Sequence, residues 1–527
     1  MVNNKAAQYI LNRPLLLSIL SGLLLFAAWP MSVATPLIFI AFVPILHIAN
    51  LPLSRFSFFL YLYIALLIWN VSTTWWIWYA SPAGAIGAFV ANSLLMCMPW
   101  LLYKLVKHKL PTHLAYVALI AFWLCWEYFH LHDWGLSWPW LTVGNVFATH
   151  TNWVQWYQYT GVSGGTLWVL LVNVFVYNLI TQYKIYKLIA PILAIIIPII
   201  VSFSALPIFS KNSNGTQVVI CQPNIDPYTK VNNTNTASQI STLLNTSRLQ
   251  VDSNTQLLLW PETALYSQFG FNESKLNQNA ELDSVFLFLQ QYPKLQLFTG
   301  IESMQYFNTP TQYSKQLTSS TISYESYNGS VLLQGNQAKA FYHKSMLVPG
   351  VETLPSFLNF MGKWFEDLGG TTNGYVKQIN RTPIVTNSNI VLAPSICYES
   401  IYGGFMSKYI HNGATVIAII TNDGWWRNTP GHQQHFAYAK LRAIENKCYV
   451  LRSANTGISG VINPYGQVLQ TLPYNTNGAI KATIPISNVN HTLYTKYPDW
   501  LYKLAVVVAL FILLFYLYAK IFAKAKK

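Results

Sequence analysis

The apolar positions of this 527-residue chain fall into two regimes. Over the first two hundred residues they form long, nearly unbroken runs. A spanning helix needs roughly 20 mostly apolar residues, and eight runs qualify: 14–31, 35–51, 57–80, 84–104, 113–131, 165–183, 187–206 and 501–522. The first reads as a retained helix. A cleaved signal peptide is the alternative, because Ser32-Val33-Ala34 has the small-residue form of a cleavage site.

From residue 216 onward the runs shorten and turn residues separate them. Strands are expected at 217–221, 257–260, 295–300, 330–334, 340–347, 390–396, 415–421, 449–453 and 479–484. Such continuous apolar stretches suit strands covered on both faces. Helical patterns intervene near 236–252, 279–291, 399–411 and 431–446, so a layered α/β or α+β domain is expected. The polar stretch 304–328 reads as a loop or insertion, and 207–215 as a linker. The chain thus divides into an N-terminal transmembrane region (1–211, seven helices), a water-soluble domain (212–495), and a closing transmembrane helix with its tail (496–527).

Composition agrees with this division. Charged residues make up 9% of the chain, against about 25% in ordinary soluble domains. Residues 1–214 carry only two acidic side chains, Glu127 and Asp133. The net charge of +15 does not imply nucleic acid, because the N-terminal Lys and Arg sit in short loops between apolar runs. Those loops set orientation. Arg13, Arg55, Lys104 to Lys109, Lys184 with Lys187, and the C-terminal lysines all fall on one side when the spans number eight; the alternate loops lack Lys and Arg. That side is the cytoplasm, which puts 212–495 outside it. An odd number of spans would break the alternation.

The outer loop 132–164 concentrates Trp134, Trp138, Trp140, Trp153 and Trp156. It reads as an aromatic belt or as a re-entrant floor for a lipid-facing site. Glu127 needs a partner or a function at its depth, and His130 and His132 are the nearby candidates.

Three stretches place a reactive residue at a strand end, a rigid place for chemistry: Trp260-Pro261-Glu262-Thr263, Tyr342-His343-Lys344-Ser345 and Ala393-Pro394-Ser395-Ile396-Cys397-Tyr398-Glu399-Ser400. In this order they resemble the nitrilase superfamily, whose members carry a Glu-Lys-Cys triad in an αββα sandwich. With the membrane flanks, the chain resembles the apolipoprotein N-acyltransferases over nearly its whole length. Ser137-Trp138-Pro139-Trp140-Leu141, Gln222-Pro223-Asn224-Ile225, Leu347-Val348-Pro349, Thr421-Asn422-Asp423-Gly424-Trp425-Trp426 and Leu451-Arg452-Ser453-Ala454-Asn455-Thr456-Gly457 carry the match further. Three places depart from it. Val351 precedes Glu352 where glycine is familiar, Trp426 stands for a phenylalanine, and Tyr128-Phe129-His130 lacks an arginine.

The resemblance implies a membrane protein: an eight-helix transmembrane bundle plus an α+β nitrilase-like αββα sandwich. It implies Cys397 as nucleophile, Glu262 as proton carrier and Lys344 as oxyanion stabiliser, with Tyr398, Glu352 and Glu399 in support. The chemistry suits these types. A free thiol is mostly protonated at neutral pH and needs a base, and an ester carbonyl under attack needs donors. Trp425, Trp426 and Trp364 are expected to contact lipid, Trp364 from a lid at 352–375. The implied donor is a phospholipid. The acceptor is a diacylglyceryl-modified apolipoprotein, the site the extracytoplasmic side of a bacterial cytoplasmic (inner) membrane, and the state a monomer without cofactor. His432 and His435, three apart, lack a third ligand and read as no metal pair. Cys97 and Cys125 read as packing. Cys221 and Cys448 read as buried small hydrophobes, with a disulfide between them as the alternative. Competing functions are a membrane-tethered amidase or carbamoylase and a non-enzymatic transporter or scaffold.

Overall fold

The computed structural model describes residues 13–31, 34–206, 215–228, 235–267, 270–317, 320–353, 374–485 and 491–525. They fall into two compact units. One comprises Met1–Trp78, Pro82–Leu206 and Tyr497–Lys527, the other Tyr79–Ser81 and Pro207–Lys496.

In the first unit six described helices are long and apolar enough to cross a membrane: Arg55–Thr74, Pro82–Lys109, Thr112–His130, Val162–Thr181, Ile185–Ser204 and Trp500–Ile521. The expected count of eight is therefore not met. The first two runs form the shorter helices Pro14–Ala28 and Thr35–Asn50. Prolines shorten both. Trp29 turns extended at ψ 156°, as a residue before proline tends to. The second run breaks at Phe42, between Ile38–Ala41 and Val43–Asn50, where Pro44 brings no N–H. Asn173 mends the break: its Oδ1 accepts from Phe42 N at 2.8 Å and its Nδ2 donates to Ile38 O at 2.8 Å. Broken helices persist in apolar surroundings when a neighbour satisfies the freed backbone in this way.

Glu127 is buried, and its expected histidine partners are not the ones it has. It accepts from Trp123 Nε1 (3.0 Å), Val143 N (2.9 Å), Thr166 Oγ1 (2.9 Å) and Tyr502 Oη (3.3 Å). One carboxylate thereby ties together two long helices, the segment after Trp140 and the C-terminal helix. His130 Nε2 instead accepts from Trp138 N, and His132 Nδ1 meets Tyr128 O. Segment 132–164 contains three short 3-10 turns, Pro139–Leu141, Val143–Thr149 and Thr151–Trp153. Val143, Val146, Phe147 and Ala148 are fully buried, so its middle packs inside the unit.

The second unit holds fourteen strands among the described residues. They are β1 Thr216–Gln222, β2 Leu257–Leu259, β3 Phe271–Asn272, β4 Gln296–Phe307, β5 Lys315–Gln316, β6 Ser323–Gln334, β7 Gln337–His343, β8 Ile384–Val385, β9 Val391–Ile396, β10 Val416–Thr421, β11 Tyr449–Ala454, β12 Ser459–Ile462, β13 Val468–Leu472 and β14 Gly478–Ile484. One sheet runs β14-β1-β2-β4-β6-β5, with β3 on β4 and β7 on β6; the other runs β13-β12-β11-β10-β9-β8. Helices α1 Thr236–Arg248 and α2 Asp283–Gln291 cover the first sheet. Helices α3 Gly403–His411 and α4 Pro430–Asn446 pack on the second. The two sheets meet face to face, where Ser453 Oγ donates to Cys221 O at 2.6 Å. Being covered on both faces, β10 buries all six of its residues.

The stretch 304–328 is not simply a loop. Strands β4 and β6 continue through it, paired from Leu297↔Leu333 out to Phe307↔Ser323. Gln305, Glu325 and Asn328 interrupt any aliphatic run there, so the ribbon is held by main-chain pairing that hydropathy does not reveal.

Candidate active site

Glu262 lies on the turn after β2, and two backbone features hold it. Thr263 adopts φ 47°, a left-handed conformation that costs a non-glycine residue about 1–3 kcal/mol. On β4, Gly300 lets the two chains touch: a Cβ there would lie 2.5–2.7 Å from Thr263 N, Pro261 O and Glu262 Cα. The carboxylate, 7% exposed, accepts from Asn422 N at 3.1 Å on Oε2 and from Asn328 Nδ2 at 3.0 Å on Oε1.

Lys344 follows β7 directly and is 1% exposed. Its backbone N–H donates to Asn328 O at 2.9 Å. Its Nζ is 2.8 Å from Glu352 Oε1 and 3.4 Å from Glu262 Oε1. Burial alone would lower the pKa of this ammonium, but Glu352 and then Glu262 outweigh it and hold the pKa well above the usual lysine range. Glu352 Oε2 is in turn fixed by Val348 N at 2.8 Å. Asn328, which sequence reading passed over, bridges the two carboxylates, reaching Glu352 Oε1 at 2.9 Å. Its signal lay inside the stretch taken for a loop.

Cys397 ends β9 and begins a 3-10 turn, Cys397–Ile401. It is partly exposed and has φ 54°, again left-handed. Burial and the Glu262 carboxylate push its thiol pKa up, while Lys344 pulls it back. Glu262, Lys344, Glu352 and Cys397 thus form one electrostatic group.

Glu399 sits beneath this group as a backbone acceptor. Its Oε1 accepts from Tyr342 Oη (2.7 Å), Ser345 N (2.6 Å) and Met346 N (3.1 Å), and its Oε2 accepts from Ile396 N (2.7 Å). It therefore ties the residues after Lys344 to the residue before Cys397. Burial raises its pKa to about 6, and these donors lower it less than burial raises it. Tyr398 is buried, with its hydroxyl 3.1 Å from that of Tyr402.

The two tryptophans after Asn422-Asp423 differ. Trp425 is exposed and stands edge-on to Tyr228, with ring centroids 5.4 Å apart. Trp426 is half-buried and packs edge-on to His435 at 5.5 Å. Trp364 and most of its expected lid lie outside the described residues. All five cysteines are free, so the Cys221–Cys448 disulfide alternative is not formed; Cys221 instead meets Ser247 Oγ at 3.3 Å. His432 and His435 diverge. His432 stacks on Tyr474 with its Nε2 3.2 Å from Asn428 Oδ1, and His435 faces Asp423.

The family model described as carbon-nitrogen hydrolase matches residues 217–494, and that of the apolipoprotein N-acyltransferase N-terminal domain matches residues 21–175. Among relatives called apolipoprotein N-acyltransferase, one from Chlorobaculum tepidum is 29% identical over 513 residues, covering 94% of this chain and 95% of its own. One from Rickettsia prowazekii is 26% identical and covers 84% of each chain. One from Thermotoga maritima is 23% identical and covers 94% of this chain and 92% of its own.

Proposed function

The chain belongs to the carbon-nitrogen hydrolase family, and we infer that it acts as an apolipoprotein N-acyltransferase. It is a membrane enzyme that moves an acyl chain from a phospholipid to the α-amino group of the N-terminal diacylglyceryl-cysteine of its protein substrates. The observation that carries the catalytic reading is the buried Lys344 ammonium between Glu352 and Glu262, with both the Lys344 and Glu262 charges acting on the Cys397 thiol.

In this mechanism Glu262 takes the thiol proton as Sγ attacks the ester carbonyl of the phospholipid. The carbonyl oxygen becomes an oxyanion between the Lys344 ammonium and the backbone N–H of Tyr398. Each such donor is worth roughly 3–4 kcal/mol in the transition state. The C–O bond breaks, and Glu262 returns its proton to the departing lysophospholipid alkoxide. A thioester remains on Cys397. The neutral α-amine then attacks it, loses a proton to Glu262, and the Cys397 thiolate leaves and is reprotonated. Glu352 keeps Lys344 in place throughout, and Glu399 fixes the backbone on which both Lys344 and Cys397 ride. Trp425 forms part of the wall against which the acyl chain lies.

The proposed setting is the bacterial cytoplasmic membrane, with 212–495 on its outer side and the chain monomeric. The basic loops support this whether or not the two shorter apolar helices cross fully. Arg13 precedes the first and Arg55 follows the second, so the pair returns the chain to its starting side in either case.

Intact-mass analysis of the full chain purified with phospholipid tests the function. An acyl mass on Cys397 that hydroxylamine removes, and that disappears when a diacylglyceryl-cysteine peptide is added, is the expected result. No acyl adduct on Cys397 and no acyl transfer to the peptide overturn it.

A further inference from the structure

Four fully buried side chains beside Cys397, namely Asp423, Arg452, His435 and Ser400, have no part in the mechanism above. Arg452 Nη2 donates to Asp423 Oδ2 at 2.7 Å and lies 2.9 Å from His435 Nδ1. Asp423 Oδ1 is 2.9 Å from the same ring nitrogen and accepts from Thr421 Oγ1 at 2.9 Å. Burial would raise the pKa of the Asp423 carboxyl, but Arg452 and His435 hold it well below the usual range. The other ring nitrogen, Nε2, lies 3.1 Å from the carbonyl oxygen of Cys397 and 3.0 Å from Ser400 Oγ. Ser400 Oγ donates to that same carbonyl at 2.9 Å. A chain of contacts thus runs from a buried ion pair to the main chain of the nucleophile.

Two of these residues, together with Cys397 itself, also have the spacing of a metal site, since ligating atoms of Cys397, Asp423 and His435 lie within 4.8 Å of one another. Arg452 already places a fixed positive charge against both Asp423 and His435. An incoming cation would have to displace it and strand a buried guanidinium. The arrangement is a support built from protein groups.

Cys397 is what needs support. Its φ of 54° is a conformation that a residue with a Cβ holds only where its surroundings enforce it. That φ sets the direction in which Cβ and Sγ leave the main chain. Two side chains converge on the one carbonyl whose orientation goes with it, and the ring of His435 is itself aligned by partners at its far nitrogen, as second-layer groups align a working imidazole.

We propose that His435, aligned by Asp423 and Arg452 and acting with Ser400, is a positioning residue that holds the left-handed backbone of Cys397 and so aims its sulfur at the ester carbonyl. The proposal rests on Cys397 being the nucleophile of the reaction inferred above. It is tested on the full chain in detergent with His435→Leu, His435→Gln and Ser400→Ala. Two rates are read: alkylation of Cys397 by iodoacetamide without lipid, and acyl-enzyme formation from phospholipid vesicles.

In His435→Leu both rates fall roughly 10- to 100-fold, the size of effect that a misplaced reacting atom produces, while KM for phospholipid stays unchanged. His435→Gln, which keeps a hydrogen-bonding group near the Nε2 position, recovers most of the loss, and Ser400→Ala loses severalfold. Alkylation at the wild-type rate in both Ser400→Ala and folded His435→Leu overturns the proposal. If His435→Leu does not fold, a wild-type rate in Ser400→Ala overturns it alone. Failure of the wild-type chain to take up an acyl group would instead overturn the function, and the alkylation rates would still report on the support.

Discussion

Lys344 Nζ stands 2.8 Å from Glu352 Oε1, closer than the 3.4 Å that separates it from Glu262 Oε1. The two buried carboxylates divide the work of neutralising one ammonium. Glu352 is the nearer counter-charge, and Val348 N and Asn328 Nδ2 anchor it. Glu352→Gln removes that charge and loosens the hold on the Lys344 ammonium. Acyl-enzyme formation is expected to slow about 10- to 100-fold with KM for phospholipid unchanged, as measured by single-turnover acylation.

Glu262→Gln separates proton transfer from electrostatics. Acyl-enzyme formation should fall by about 10³-fold or more. Yet the Cys397 thiol should ionise at lower pH, because the Glu262 charge raises its pKa and Lys344 lowers it. The pH profile of alkylation by a small water-soluble reagent checks this. A midpoint that moves upward would contradict the assignment.

Glu399 couples the two loops through four donors. Glu399→Leu leaves those donors unpaired in the interior and should cost about 3 kcal/mol or more, whereas Glu399→Gln keeps an acceptor and should cost less. The pH dependence has a definite sign. Its folded pKa, near 6, lies above the ordinary 4.5, so the folded state binds the proton more tightly. Its contribution is fully present below pH 4.5 and is lost as pH rises through 6, by about 2 kcal/mol in total. Thermal unfolding in detergent between pH 4 and 7 should show this slope in wild type, and Glu399→Gln should lack this component.

Trp425 exposes a large ring beside Tyr228 and supports little of the core. Trp425→Ala should raise KM for phospholipid in vesicles about tenfold while alkylation of Cys397 by a small reagent stays near wild type. Equal losses in both assays would make the residue a structural one.

The orientation drawn from the basic loops is checked with single cysteines in a background whose five native cysteines are replaced by alanine. Asn308→Cys, on an exposed part of the second unit, should react in intact spheroplasts with an impermeant maleimide. Lys109→Cys should react only after the membrane is opened.

The sequence by itself determined what depends on local pattern. Long apolar runs marked the membrane helices, because lipid demands about 20 apolar residues in succession. The runs around Val219, Leu258 and Ile419 marked strands covered on both faces, because burial on both sides removes the polar alternation. Glu262, Lys344 and Cys397 stood out as reactive residues at strand ends, and it was the family resemblance of their three stretches, taken in order, that gave them roles. Tertiary structure alone decided the rest. The break at Phe42 is stable only because Asn173, far along the chain, supplies both a donor and an acceptor. The extension of β4 and β6 past residue 304 depends on main-chain pairing between polar residues, to which side-chain hydropathy is blind. That Glu127 answers to Thr166 and Tyr502, that Asn328 bridges two carboxylates, and that His435 reaches the carbonyl of Cys397 are all contacts between residues distant in sequence. A hydrogen bond depends on distance and direction in space, and no spacing along a chain contains either.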